Sequence, residues 1–191
     1  MGREFELKYR ATEAQFAALK ADFPDLHPIA METTYYDTFD GKMGNYHWTF
    51  RRRMENGKSV CALKTPGEDG GTGEWEVEES DIQKAIPRLC ALGAPEDLLT
   101  MTQKGVIPIC GARFTRLAGL IDAPGCTVEL ALDEGWLLGG GKEQPLCEIE
   151  VELKSGDEAA AVAFAQELAQ RFGLVPQPKS KYRRALELAR D

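Results

Sequence analysis

The stretch Glu4-Phe5-Glu6-Leu7-Lys8-Tyr9-Arg10 alternates charged and apolar residues without interruption. Because successive side chains of a β-strand point to opposite faces, this period of two predicts a strand with one fully charged face. In an ordinary half-buried strand the apolar face packs on the core and the charged face lies in water. Taken alone, the opening stretch fits that ordinary arrangement.

The same alternation returns further along the chain, and each charged face then has a single sign. Acidic examples are Glu74-Trp75-Glu76-Val77-Glu78 and Glu148-Ile149-Glu150-Val151-Glu152, whereas Arg51 and Arg53 form a basic example. Solvated faces have no reason to be so uniform within each strand. The pattern therefore predicts an α+β protein with a closed eight-stranded antiparallel β-barrel, a charged interior that can hold one small ligand, and a few flanking helices.

The composition is that of a soluble globular protein, and it argues against several partners. The chain has 191 residues, of which 43% are hydrophobic and 28% charged, with a net charge of −8. We expect one domain over residues 1–191 that does not bind nucleic acid, because phosphate backbones are bound by basic surfaces. The five cysteines have neither zinc-site nor disulfide-framework spacing, and no apolar leader or long apolar run occurs. We therefore expect a cytoplasmic protein with free thiols and no membrane contact.

Local signals outline the helices and turns between the strands. Thr12 with Gln15, and Ser80 with Gln83, have the spacing of a helix capping box. The run Asp133-Glu134-Gly135 predicts a turn after a strand that ends at residue 132.

Charged groups inside a barrel need compensation, because an isolated ion in a low-dielectric interior is very costly. The candidate bases are Lys8, Arg10, Arg51, Arg53, Lys64, Arg113, Arg116, Lys181, Arg183 and Arg184, and Glu129 and Asp133 join the acidic sets. Acids and bases could pair with each other in a structural network. Alternatively, the acids could hold hard cations such as Mg²⁺ while Arg and Lys hold phosphate oxygens.

Several short motifs resemble, in order, those of the CYTH domain, a family of the triphosphate tunnel metalloenzyme superfamily. They are Glu4-x-Glu6-x-Lys8, Tyr36-Asp37-Thr38, Phe50-Arg51-Arg52-Arg53, Ala62-Leu63-Lys64, Glu74-Trp75-Glu76-Val77, Phe114-x-Arg116, Val128-Glu129-x-x-x-Asp133-x-Gly135, Glu148-Ile149-Glu150-x-Glu152 and Ser180-Lys181. One departure is Thr72, which stands where many members have Arg or Lys. No helical CHAD domain, which follows in some longer relatives, is expected.

The resemblance implies a tunnel in which a triphosphate is hydrolysed or cyclised with Mg²⁺ or Mn²⁺. Carried over residue by residue, the implied metal ligands are Glu4, Glu6, Glu148 and Glu150, with Glu129 and Asp133 as helpers. The implied phosphate-binding residues are Lys8, Arg51, Arg53, Lys64, Arg116, Lys181 and Arg184. Glu4, Glu6 and Lys8 are the implied catalytic residues.

The expected function is hydrolysis of inorganic tripolyphosphate, with a small triphosphate as the only partner besides a second copy in a homodimer. The C-terminal half, from Phe114 to Gly156, is similar to that of bacterial triphosphatase-type members. Alternatives are a class IV adenylyl cyclase, a thiamine triphosphatase, and a polyphosphate- or nucleotide-binding module without activity. An apolar-cavity barrel of the lipocalin kind is disfavoured by the charged inner faces.

Overall fold

The computed structural model describes residues 5–67 and 72–190. The strands are β1 (Glu6–Arg10), β2 (His27–Asp37), β3 (Thr49–Glu55), β4 (Lys58–Pro66), β5 (Thr72–Glu78), β6 (Ile107–Ala123), β7 (Cys126–Gly139), β8 (Lys142–Gly156) and β9 (Val175–Pro176). The helices are α1 (Glu13–Asp22), α2 (Lys42–Asn45), α3 (Ile82–Ala91), α4 (Asp97–Met101), α5 (Glu158–Phe172) and α6 (Lys181–Arg190). None of the described helices has the length and apolar character needed to cross a membrane.

The strands form one antiparallel sheet of nine, in the order β5-β4-β3-β2-β6-β7-β8-β1-β9. The α+β class is as predicted, but within the described ranges no ladder joins β5 to β9, so hydrogen bonds do not close the sheet. The predicted closed barrel of eight strands is therefore not confirmed. The unforeseen ninth strand is a two-residue edge segment in which Pro176 lies opposite Tyr9. Two residues are too few to show a sequence period, and an edge position suits proline.

The two faces of the sheet have different surroundings. Tyr9 of β1 is buried with Phe16 of α1 and Leu168 of α5 in one core, and Leu63 of β4 is buried with Leu89 of α3 in another. These apolar residues lie on the outer face of the sheet, where the helices pack. Because side chains alternate along a strand, the charged residues between them point to the inner face.

Helix α6 packs against the inner face and fills one end of it. Ala185 is fully buried with Phe114 of β6, Leu137 of β7 and Leu146 of β8. The backbone of β7 approaches α6 closely, because a Cβ atom added at Gly139 would lie 2.3 Å from the carbonyl oxygen of Ala185. The C-terminal helix is therefore part of the inner wall.

The predicted capping box of α1 is confirmed, and that of α3 is wrong. The Thr12 hydroxyl accepts from the Gln15 N–H at 3.3 Å, and the Gln15 side chain accepts from the Thr12 N–H at 2.8 Å. Helix α3 is capped by Asp81 rather than Ser80. The reason is local competition, since the Glu79 carboxylate already accepts the Ser80 N–H at 2.8 Å.

The predicted turn at Asp133-Glu134-Gly135 is also wrong, since all three residues lie inside the continuous strand β7. A Cβ atom added at Gly135 would lie 2.3 Å from the carbonyl oxygen of Arg113 on β6. The glycine therefore allows β6 and β7 to approach closely, and it does not reverse the chain. As a consequence, Asp133 becomes a fully buried strand residue.

We expect Gly139→Ala to lower the free energy of unfolding by about 1–3 kcal/mol, the usual cost of overpacking. The added methyl group would meet the backbone of α6, which cannot move without disturbing the core around Ala185. Urea unfolding followed by circular dichroism would measure the change. Lys142→Ala, at an exposed position of the same hairpin, is the control and should change stability by less than about 0.5 kcal/mol. Equal urea midpoints of unfolding for the two variants would contradict the close packing of α6 on β7.

Candidate active site

One cavity of about 1000 Å³ lies along the inner face of the sheet. Every strand from β1 to β8 contributes to its wall, and so does α6. The charged lining residues are Glu6, Lys8, Arg51, Arg53, Glu55, Lys64, Glu74, Glu76, Arg116, Glu129, Glu150, Glu152, Lys154 and Lys181. Although hydrogen bonds do not close the sheet, its curvature brings β5 and β1 to the same cavity.

Beside the cavity lies an inner charge cluster of three acids and three bases: Asp133, Glu148, Glu150, Arg116, Lys181 and Arg184. Of these, Glu150, Arg116 and Lys181 line the cavity. The Arg116 guanidinium donates two hydrogen bonds of 2.8 Å to Asp133 and also contacts Glu150. The Lys181 ammonium lies 2.7 Å from Asp133 and 2.6 Å from Glu150, and it contacts Glu148. Arg184 contacts the other oxygen of Glu148. When all six groups are ionised, their formal charges cancel.

The register of the strands explains how the inner charge cluster forms. Arg116 of β6 lies opposite Asp133 of β7, which in turn lies opposite Glu148 of β8. Lys181 and Arg184 are three residues apart on α6, so they lie on one face of the helix. Three strands and one helix therefore bring together residues from distant parts of the chain.

Burial and the neighbouring charges shift the pKa values within this cluster. Burial raises the pKa of Glu148, against the opposing effect of Lys181 and Arg184. Burial also disfavours the ionised form of Glu150, but Lys181 and Arg116 outweigh it and hold the pKa of Glu150 well below its usual range. Burial likewise disfavours charged Lys181, yet the three carboxylates outweigh it and the pKa of Lys181 lies above its usual value. Glu150 and Lys181 are therefore both charged at neutral pH.

Around the cluster, further acid–base pairs line the cavity. Arg51 lies 3.4 Å from Glu74 and 3.5 Å from Glu76, and Lys64 lies 3.1 Å from Glu74. These groups join β3, β4 and β5 across neighbouring strands. Further pairs are Glu6–Lys8, Arg53–Glu55 and Lys154 with Glu152 and Glu129.

The structure brings together part of the predicted metal-binding set. Ligand oxygens of Asp133, Glu148 and Glu150 all lie within 4.8 Å of one another. Glu6 and Glu129 line the same cavity but are paired with lysines outside this group. Glu4 lies outside the described residues.

The predicted phosphate-binding residues are all placed on the inner side of the sheet. Lys8, Arg51, Arg53, Lys64, Arg116 and Lys181 line the cavity. Arg184 reaches the inner charge cluster from α6 through Glu148. Thr72, at the start of β5, also lines the cavity.

The candidate site residues from sequence did not include Lys154, Tyr35 and Tyr182, which line the cavity. Glu152, predicted on the charged face of its strand without a ligand role, lines the cavity too. The period of two beginning at Glu148 could have identified Lys154, because it shares that parity. Tyr182 is different, since its ring contacts Tyr35 in a tilted arrangement, with centroids 4.9 Å apart, only because α6 packs on the inner face of the sheet. No signal in the sequence indicates that contact.

The donor set at the cluster suits a hard divalent cation. Asp133, Glu148 and Glu150 offer carboxylate oxygens, the ligands preferred by Mg²⁺ and Mn²⁺, and no described thiol or imidazole belongs to the group. The basic side suits an anion as well. The Nε–H groups of Arg51 and Arg53 are buried without a hydrogen-bond partner among the described residues. The residues therefore fit both a metal ion and phosphate oxygens.

We expect Arg116→Met to lower the free energy of unfolding by about 3–5 kcal/mol at pH 7, because it leaves a buried carboxylate uncompensated. A carboxyl whose folded pKa is lowered stabilises the fold above its unfolded pKa of about 4.3 and loses that contribution as the pH falls. Because Arg116 helps to lower the pKa of Glu150, the difference between variant and wild type should shrink toward pH 4.

The control is Arg113→Met on the same strand, whose partly exposed side chain pairs with Glu143 at 3.4 Å. That substitution should lower the free energy of unfolding by less than about 1 kcal/mol. Urea unfolding at pH 7 and at about pH 3, below the unfolded pKa of a glutamate, gives both comparisons. Two results would contradict this charge balance. One is a loss of unfolding free energy in Arg116→Met that is as small as in Arg113→Met, and the other is a loss that grows as the pH falls.

Solved structures share this fold over nearly their whole length. A Hippeastrum protein named as an adenylyl cyclase, and described as having a dominant triphosphatase activity, has a TM-score of 0.64 at 18% identity, covering 99% of this chain and 95% of the other. A Bacillus halodurans protein named as an adenylate cyclase has a TM-score of 0.62 at 18% identity, covering 94% and 96%. At this identity the likeness shows the fold.

Comparison of the sequence identifies a relative and a family. An inorganic triphosphatase of Haemophilus influenzae is 29% identical over 142 residues, which are 73% of this chain and 40% of the relative. The chain thus spans well under half the length of that curated relative. The family model described as CYTH domain matches residues 2–186, and the protein therefore belongs to the CYTH domain family.

Proposed function

We propose that this protein is a metal-dependent triphosphatase that hydrolyses inorganic tripolyphosphate. The observation that carries the proposal is the inner charge cluster, in which three acids and three bases lie together and three of the six, Arg116, Glu150 and Lys181, line one cavity. The inorganic triphosphatase of Haemophilus influenzae and the triphosphatase activity named for the Hippeastrum protein support the reaction class. A cavity of about 1000 Å³ has room for a triphosphate chain.

The basic residues bind the substrate. Arg51, Arg53 and Lys64 approach the phosphate chain from the wall formed by β3 and β4, and Arg116 and Lys181 approach it from the inner charge cluster. Arginine matches phosphate oxygens with a planar fork, and lysine supplies a compact point charge. Because the bases come from different strands and from α6, they hold the chain extended and in one orientation.

When the bases bind the phosphate chain, their former carboxylate partners become free to hold the cation. Glu148 and Glu150 are the proposed principal ligands, Asp133 and Glu129 assist them, and Glu6 joins them from β1. Glu4 is proposed as a further ligand from the family motif alone. When bound there, Mg²⁺ or Mn²⁺ would neutralise charge on the phosphate oxygens and make the phosphorus more electrophilic. The acids of the cluster are close enough together to serve one site, as their separation of at most 4.8 Å indicates.

Hydrolysis requires mainly positioning and charge neutralisation. A water oxygen bonds to the terminal phosphorus, the bridging P–O bond breaks, and orthophosphate and pyrophosphate form. The leaving oxygen gains negative charge as this bond breaks. Lys8, which lies 3.0 Å from Glu6, and Arg116 and Lys181 stabilise that developing charge.

We expect Glu150→Gln to lower the rate of phosphate release from tripolyphosphate by about 100-fold or more. The substitution removes the negative charge of a proposed cation ligand, which also pairs with Arg116 and Lys181. The amide keeps the shape of the side chain, so the circular dichroism spectrum should be unchanged. Malachite-green detection of phosphate in Mg²⁺ and in EDTA measures the effect. Glu143→Gln, at an exposed position of the same strand, should keep wild-type activity. Full metal-dependent activity in Glu150→Gln would refute its assignment as a metal ligand.

Cyclisation of ATP is the second candidate, because the two solved structures above are named as adenylyl or adenylate cyclases. A panel of tripolyphosphate, ATP and thiamine triphosphate, each with Mg²⁺ and with Mn²⁺, separates the candidates. We expect the fastest turnover with tripolyphosphate and the release of orthophosphate. Cyclic AMP as the main product from ATP would favour the cyclase, and binding without any product would favour a non-catalytic module.

A further inference from the structure

Lys181 is the one residue of the described inner charge cluster that contacts all three acids. Its ammonium lies 2.7 Å from Asp133 and 2.6 Å from Glu150, and it also contacts Glu148. Only 10% of its side chain is exposed. The ammonium therefore lies among the same carboxylates that the proposed function gives to the cation.

A divalent cation and the Lys181 ammonium cannot share these carboxylates at low cost. Like charges at such short distances repel strongly in a partly buried site, where screening by water is weak. The cluster is also balanced without the metal, so a cation that enters alone leaves positive charge in excess. A phosphate chain that enters alone lies near the three carboxylates and leaves negative charge in excess. Cation and anion together offset part of each other's charge.

We propose that Lys181 blocks the cation site in the free protein and moves to the phosphate chain when cation and substrate bind together. This inference rests on the proposed function for the identity of the anion. It makes Lys181 the residue through which the two ligands assist each other's binding. The free protein should hold a divalent cation weakly, and the cation should bind well only with the anion.

The other two bases of the cluster are less suited to this movement. Arg116 forms a planar bidentate pair with Asp133, which fixes its orientation. Arg184 contacts Glu148 alone. Lys181 has a flexible four-carbon stem and lines the cavity itself, and its ammonium lies 5.4 Å from the centre of the Phe114 ring. The same ring lies 5.9 Å from the Arg116 guanidinium carbon, so the flexible stem of Lys181, rather than the aromatic contact, distinguishes it.

The test is the binding of Mn²⁺ alone, measured by the electron paramagnetic resonance signal of free Mn²⁺. We expect Lys181→Met to bind Mn²⁺ at least about tenfold more tightly than wild type, because the competing charge is gone while the three carboxylates remain. The matched control is Lys179→Met, which removes the same charge two residues earlier, where Lys179 pairs with Glu187 at 2.8 Å. That variant should bind Mn²⁺ as wild type does. Equal or weaker Mn²⁺ binding by Lys181→Met would overturn the proposal.

A second titration, with tripolyphosphate in EDTA, examines the anion. Lys181→Met should bind it at least about tenfold more weakly than wild type, so that a single substitution has opposite effects on the two ligands. A purely structural role for Lys181 would weaken both. If Lys181→Met is unfolded without metal, Mn²⁺ should restore its circular dichroism spectrum by replacing the missing positive charge, and failure to do so would equally overturn the proposal.

Failure of this inference and failure of the proposed function give different results. If Lys181→Met gains Mn²⁺ affinity but wild type hydrolyses no triphosphate, the blocking role stands and the activity is wrong. If wild type hydrolyses tripolyphosphate but Lys181→Met gains no Mn²⁺ affinity, the activity stands and the blocking role is wrong.

Discussion

Carboxylates that leave water must be matched by positive charge, and this requirement governs the centre of the molecule. Asp133 and Glu148 are fully buried, and Arg116, Lys181 and Arg184 lie against them and supply the matching positive charge. Removing any one base leaves a charge that the interior cannot screen. The arrangement of the strands and the position of the last helix both follow from keeping this match intact.

The sheet meets the requirement through its alternation. One face of each strand packs on helices in an apolar core, and the other face carries the charges. Hydrogen bonds need not close the sheet for its inner face to enclose a cavity, because curvature and α6 complete the wall. The balance between acids and bases also means that one small region offers carboxylates to a cation and basic groups to an anion.

Much of the site could be predicted from local pattern, and the exceptions have physical causes. The inner positions of Arg51, Arg53, Lys64 and Glu150 follow from a period of two together with the family motifs. Asp133 was counted among the inner acids, but its backbone was misjudged as a turn, because an acid followed by Glu-Gly has the composition of one. A strand there depends on Gly135 fitting against the backbone of β6, which is a contact between distant segments. The ninth strand and the ring contact of Tyr182 with Tyr35 depend on contacts of the same kind.

The sequence by itself determined which side chains lie on the charged inner face and which lie in the outer cores, because strand alternation is a local property of the backbone. Its motifs likewise identified the CYTH domain family. Only the tertiary structure decided which acids share one site, how the sheet is ordered and left open, and that Lys181 lies among three carboxylates. These depend on strand register and on the docking of α6, which bring together residues far apart in the chain and leave no periodic trace in it.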